Sequence, residues 1–175
     1  MTRDAVHLSV LGHETVVPYS QRWAGYALVA MRMSVGWVLF DAGLRRITSP
    51  TWTPATLFHG VSPANPLSGA FATVGQAAGW FLGPLLIWGL ALAGGTLIFG
   101  AAVRASAVVG ALVMGVFWLA ELPLDGAVIV DHHLVYALVL FGLGAFGAGR
   151  IVGLDAYFEH HRLLDRFPVV RYLLG

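Results

Sequence analysis

The chain has no cysteine and no lysine, and few charges of any kind: 11% of its 175 residues. The missing cysteine removes thiolate metal sites, iron–sulfur ligation and dithiol redox chemistry from this chain. With every basic residue an arginine and a net charge of only +1, no broad cationic surface is available and no nucleic-acid partner is expected. The scarcity of charge weighs most. A soluble domain carries roughly 25% charged residues, and a globule with so few could not cover its surface with polar groups. Nucleophile-elbow, Walker and HExxH motifs are also missing, and no dinucleotide glycine fingerprint follows a strand. The first 22 residues hold Asp4, His7, His13, Glu14 and Pro18 without an unbroken apolar run. No signal peptide is therefore expected, and the first span should serve as its own insertion signal.

What remains is apolar: 58% hydrophobic residues and a mean hydropathy of +0.77, arranged in runs near the ~20 residues that cross a ~30 Å hydrocarbon core. The expectation is an all-α, polytopic membrane protein in contact with the lipid bilayer, a bundle of four transmembrane helices. The spans fall at about 23–44, 80–100, 105–122 and 131–151. They form a domain over 23–151, flanked by an N-terminal segment (1–22) and an amphipathic C-terminal tail (152–175). Pro84 is placed in the first turn of the second span, where a missing N–H costs little. The connection from Arg45 to Gly79 carries Pro50, Pro54, Pro63 and Pro66, which prevent one continuous helix. Trp52, Leu57, Phe58, Leu67 and Phe71 give it an apolar side suited to short interfacial helices at the bundle mouth.

Arginines set the orientation. With a cytoplasmic N-terminus, Arg3, Arg22, Arg104, Arg150, Arg162, Arg166 and Arg171 lie inside and only Arg45 and Arg46 outside, so both termini are expected in the cytoplasm of a cell-membrane protein.

Two groups of residues stand out as candidate sites. Arg32 lies nine residues into the first span, about 13.5 Å at 1.5 Å per residue and so near the bilayer centre. An arginine there costs at least ~2.5–3.5 kcal/mol unless it finds partners. Gly25, Arg32, Gly36 and Gly43 share one face, which directs Arg32 into the bundle toward the fourth span or free backbone carbonyls. The second group is Asp131, His132, His133 and Tyr136, with Tyr136 in reach of either imidazole. Asp41, Glu121 and Asp125 are expected at the same external level. Carboxylates, imidazoles and a phenol at one mouth can bind a quinone headgroup, relay a proton or hold a metal; helix capping by Asp131 is the plainer alternative. No metal site is assigned. Bis-histidine haem needs histidines on two spans and only the fourth has any, so the chain is expected to carry no cofactor of its own, with quinone the candidate ligand.

The pattern R-x-x-x-G-W-x-x-x-x-x-G from Arg32 to Gly43, then Arg45-Arg46 and the S-P-T-W-T segment, resembles the DoxX/DoxD family of small four-helix membrane proteins. So do Asp131-His132-His133, the run VYALVLFGLGAFGAGR and the closing Gly153-Leu154-Asp155. The resemblance covers roughly Trp23 to Glu159, its middle matching only as hydrophobic spans. It implies a membrane bundle; one branch of the family is the membrane subunit of a thiosulfate:quinone oxidoreductase, working with a second subunit. It carries over no catalytic set. The expected function is a membrane subunit of a respiratory or sulfur-redox complex linked to quinone, with other protein subunits as partners. A structural anchor or scaffold without its own activity, or a small transporter using Arg32 and the histidines, are the alternatives.

The cysteine-free chain makes the topology directly testable. Single cysteines placed at Thr2 and at Ala127 should be labelled by an impermeant reagent from outside the cell only at Ala127; the reverse pattern means an inverted bundle.

Overall fold

A computed structural model describes residues 4–10, 13–124, 129–158 and 174. The first element is one the sequence analysis leaves without structure. Strands β1 (Asp4–Val10) and β2 (His13–Tyr19) form an antiparallel hairpin with Asp4 opposite Tyr19 and Val10 opposite His13. Its signal is present in the alternation of Val6, Leu8 and Val10 and in the β-branched run Thr15-Val16-Val17.

From there the described chain is helical. Helix α1 spans Gln21–Thr48, α2 Pro54–His59, α3 Ser68–Phe99, α4 Val103–Ala120, α5 His132–Ala145 and α6 Leu154–Phe158, with a 3-10 turn at Ala148–Arg150 between the last two. Helix α1 packs on α3 and α5, and α4 on α3 and α5, so the four long helices close into a ring, with α2 laid against α3. Three of them, α1, α3 and α4, are long and apolar enough to cross a membrane; α5 is apolar but has 14 residues. Only 28%, 39% and 39% of the most apolar windows of α1, α3 and α4 is covered by the rest of the chain. The uncovered residues include Trp37, Trp88, Leu92, Leu112 and Phe141. Apolar surface on this scale suits a lipid environment.

The second span differs from its expected bounds. Helix α3 starts at Ser68, twelve residues earlier than expected, so Pro84 sits in its interior and not in its first turn. The last proline of the connection is Pro66, and the Ser68–Gly79 stretch holds none, so the helix extends back to Ser68 despite its glycines. The expected interfacial helices thus reduce to α2, whose Phe58 fills the space beside Gly75 and Gly79, which lack side chains.

Glycines set the closest seam. A Cβ on Gly43 would stand 2.7 Å from the Ala91 backbone nitrogen, and one on Gly36 would stand 3.0 Å from the Gly94 carbonyl. This is the small-residue face read from the sequence, and it lets α1 and α3 approach backbone to backbone. Leu39, Ile87, Leu90, Leu97, Val103 and Leu140 fill the core beside it.

Arg32 ends this seam. It is 2% exposed, and its guanidinium donates to the carbonyls of Ala148 (2.7 Å), Ile151 (3.0 Å) and Val152 (2.9 Å). Gly100 and Gly153 pack against it. It therefore lies not at mid-helix depth relative to its neighbours but level with the end of α3 and the segment following α5. Those carbonyls lie in the turn that follows α5 and converge on one point, which is why a cation is held there. Next to it, buried Asp155 accepts from the Ala102 (2.5 Å) and Val103 (3.0 Å) N–H groups and so caps α4. The expected tail beyond Phe158 falls outside the described residues except Leu174.

Arg32→Leu should leave three carbonyls without a donor. The Ala148 carbonyl is the buried one of the three, and leaving it unpaired costs about 1–3 kcal/mol, so the detergent-extracted protein should show a lower thermal midpoint. An unchanged midpoint would show that the clamp contributes nothing to stability.

Candidate functional site

At the far end of α4 from Arg32, about 27 Å away for 18 residues at 1.5 Å each, the chain gathers its other polar side chains. Glu121 is the residue that ends α4 and Asp131 the one that opens α5. The Trp118 indole donates to the Ile129 carbonyl (3.0 Å), which brings the returning chain against α4 just before Asp131. Asn65 secures the same end: its amide donates to the Leu119 (2.9 Å) and Ala120 (3.0 Å) carbonyls, the free acceptors of the last turn of α4.

Asp131 divides its two oxygens between two tasks. Oδ1 accepts from the Leu134 N–H at 2.9 Å and caps α5. Oδ2 faces the imidazoles, 2.8 Å from Nδ1 of His133 and 3.7 Å from Nδ1 of His132. Desolvation works against its charge, yet the Leu134 N–H and the His133 side chain outweigh it and hold the Asp131 carboxyl below the usual carboxylate range. His133, 12% exposed, also lies 3.3 Å from Oε2 of Glu121 and packs edge-on against Phe117. His132 stands 3.9 Å from the His133 ring, centroid to centroid, and meets Tyr136 edge-to-face.

Beside this group opens a cavity of about 370 Å3, lined by Arg46, Trp52, Thr56, Leu57, Phe117, Glu121 and His133 among others. Helices α1, α2, α4 and α5 each contribute. The Arg46 guanidinium donates to the Ala42 carbonyl (3.0 Å) and lies over the Phe117 ring at 5.4 Å. A second, wholly apolar cavity of about 350 Å3, lined by Phe58, Phe71, Val74, Leu86, Val116 and Leu119 among others, lies against α2, α3 and α4.

Of the residues singled out from the sequence, Glu121, Asp131, His132, His133 and Tyr136 meet in one place. Two do not join them. Asp41 is taken by Arg45 one turn on, at 2.7 Å, and Arg32 is at the opposite end of the bundle, bound to the carbonyls of Ala148, Ile151 and Val152. The reason is register: α1 passes the ends of α3 and α5 at Arg32. Asp125 lies outside the described residues. The sequence reading missed Arg46, Phe117 and Asn65 as builders of the site. Asn65 alone had a signal, a lone amide among prolines ahead of a helix.

No known protein family, curated protein or solved structure matches this chain.

The cap predicts a separation of variants. Asp131→Ala should destabilise the fold by about 0.5–2 kcal/mol, whereas Asp131→Asn, which retains a capping oxygen, should cost much less. Because folding lowers the Asp131 pKa, its charged-state contribution is complete above the unfolded value of about 3.9. It is lost as pH falls through the folded value. Thermal melts of the three proteins at neutral and acid pH measure both effects.

Proposed function

We propose that this chain is a membrane subunit of a respiratory or sulfur-redox complex, with a quinone headgroup bound in the cavity between Arg46, Trp52, Phe117 and His133. The observation that carries the reading is the cavity itself. Its volume falls in the range of roughly 300–1,000 Å3 usual for small-molecule sites, with aromatic walls and a few convergent polar groups at the end of an apolar bundle. A quinone is a flat apolar ring with two carbonyl oxygens, and it demands that mixture. The resemblance to the DoxX/DoxD family points the same way.

Within this reading the bundle crosses the membrane four times, α5 with its following turn making the fourth passage, and both termini face the cytoplasm. The cavity then opens at the external surface. Reduction of a quinone takes two electrons and two protons; the electrons come from a redox centre on a partner subunit. His133, oriented by Asp131 at 2.8 Å, delivers a proton to one quinone oxygen and is reprotonated from water at the mouth. The second proton comes from the same water, and Arg46 lies on the same wall to stabilise developing negative charge. The transporter alternative loses its central residue, since Arg32 is committed to backbone carbonyls.

Photolabelling tests the site. A short-chain azidoquinone should label the 52–61 and 117–121 stretches of the protein in native-lipid discs. Ala120→Phe, which fills the cavity, should abolish that labelling. Labelling spread evenly over the lipid-facing helices, unaffected by Ala120→Phe, would overturn the assignment and leave a scaffold role.

A further inference from the structure

The four groups at the α4–α5 junction have a property that proton relay does not require. One ligand atom from each of Glu121, Asp131, His132 and His133 lies within 4.8 Å of all the others. Neighbouring residues on a helix normally point ~100° apart. Here His132 and His133 stand in the first turn with their rings 3.9 Å apart, and Nδ1 of each turns to the same oxygen of Asp131. Four-coordinate zinc holds N and O ligands at about 2.0–2.2 Å, which puts tetrahedral ligand atoms about 3.3–3.6 Å from one another. Of the six separations, none above 4.8 Å, three are 3.3 Å (His133 to Glu121), 3.7 Å (His132 to Asp131) and 2.8 Å (His133 to Asp131). Two are near the tetrahedral edge. The third is a hydrogen bond, and it opens by about half an ångström when a metal replaces the shared proton.

We propose that Glu121, Asp131, His132 and His133 form a binding site for a divalent transition metal of the zinc class, clasping the end of α4 to the start of α5. Charge supports it: two carboxylates with neutral imidazoles carry a formal −2, which a divalent cation cancels. Orientation supports it as well. The Leu134 N–H holds Oδ1 of Asp131 and leaves Oδ2 for the ion, the kind of fixed outer contact that metal-ligating carboxylates need. Arg46 lines the adjoining cavity but is engaged by the Ala42 carbonyl and the Phe117 face; among the described residues Glu121 pairs with His133. Glu121 and His132 are half exposed or more, so an ion can enter from water. The donor set of two nitrogens and two oxygens suits zinc or cobalt over magnesium or calcium, which favour oxygen alone. No HExxH spacing announces it, because Glu121 comes from a different helix. The site stands independently of the quinone reading.

The test uses untagged full-length protein in detergent, stripped with chelator and then dialysed against Zn2+ or Co2+. About one metal per chain is expected, with the visible absorption of four-coordinate Co2+. His132→Ala/His133→Ala should abolish it. Asp131→Asn keeps the helix cap and Glu121→Gln alters an exposed side chain, so both should fold normally yet bind at least about tenfold more weakly. His59→Ala, whose ring lies beside Gly75 of α3 and outside the four-residue cluster, should bind as the unaltered protein does. Absence of stoichiometric metal would overturn the proposal. So would binding that persists in the double histidine variant, which would place the ion on the other histidines.

Discussion

An arginine that cannot stay unpaired organises one end of this protein. Burying a guanidinium is tolerable only where oxygens already wait for it, and the turn after α5 supplies three convergent carbonyls. The pairing is mutual. Without Arg32 the buried Ala148 carbonyl loses its donor; without the turn the charge has nowhere to go. Asp155 does the converse job a few ångströms away, covering the bare N–H groups of α4. First helix, third helix end, fourth helix start and chain exit are thereby fixed to one another.

That fixed end allows the other end to be chemically rich. With α1 and α3 locked along a glycine seam and α4 set by its cap, the 18 residues of α4 carry Glu121 to a defined place opposite α5. Asp131 then does two things at once: one oxygen starts α5 and the other aligns two imidazoles. Preorganisation here comes from a helix cap, which is rigid because the backbone itself is the partner. The helix cap and the alignment of the two imidazoles are therefore the same geometry seen from two oxygens.

The cavity and the metal-type cluster adjoin, sharing Glu121 and His133. An ion seated in the cluster would occupy the Nδ1 of His133 that otherwise bonds Asp131, so metal and proton compete for one nitrogen. If both proposals hold, a quinone-linked proton step and a metal clasp would be alternative states of one corner of the bundle.

Composition alone decided the environment: at 11% charge and 58% hydrophobic residues, apolar helices with uncovered faces follow whatever their arrangement. The small-residue face of α1, the inward direction of Arg32 and the gathering of Asp131, His132, His133 and Tyr136 were legible too, because each depends on helical spacing within one segment. What lay beyond the sequence was register between segments. The period of a helix says which side Arg32 faces but not how far α1 slides along α3, and that sliding moved it from the expected mid-membrane depth to the end of the bundle. It likewise removed Asp41 from the cluster and set Arg46 and Phe117 beside His133. Spacing along one helix is fixed by covalent geometry. Distance between helices is settled by which glycines let backbones touch, and only the packed tertiary structure decides that.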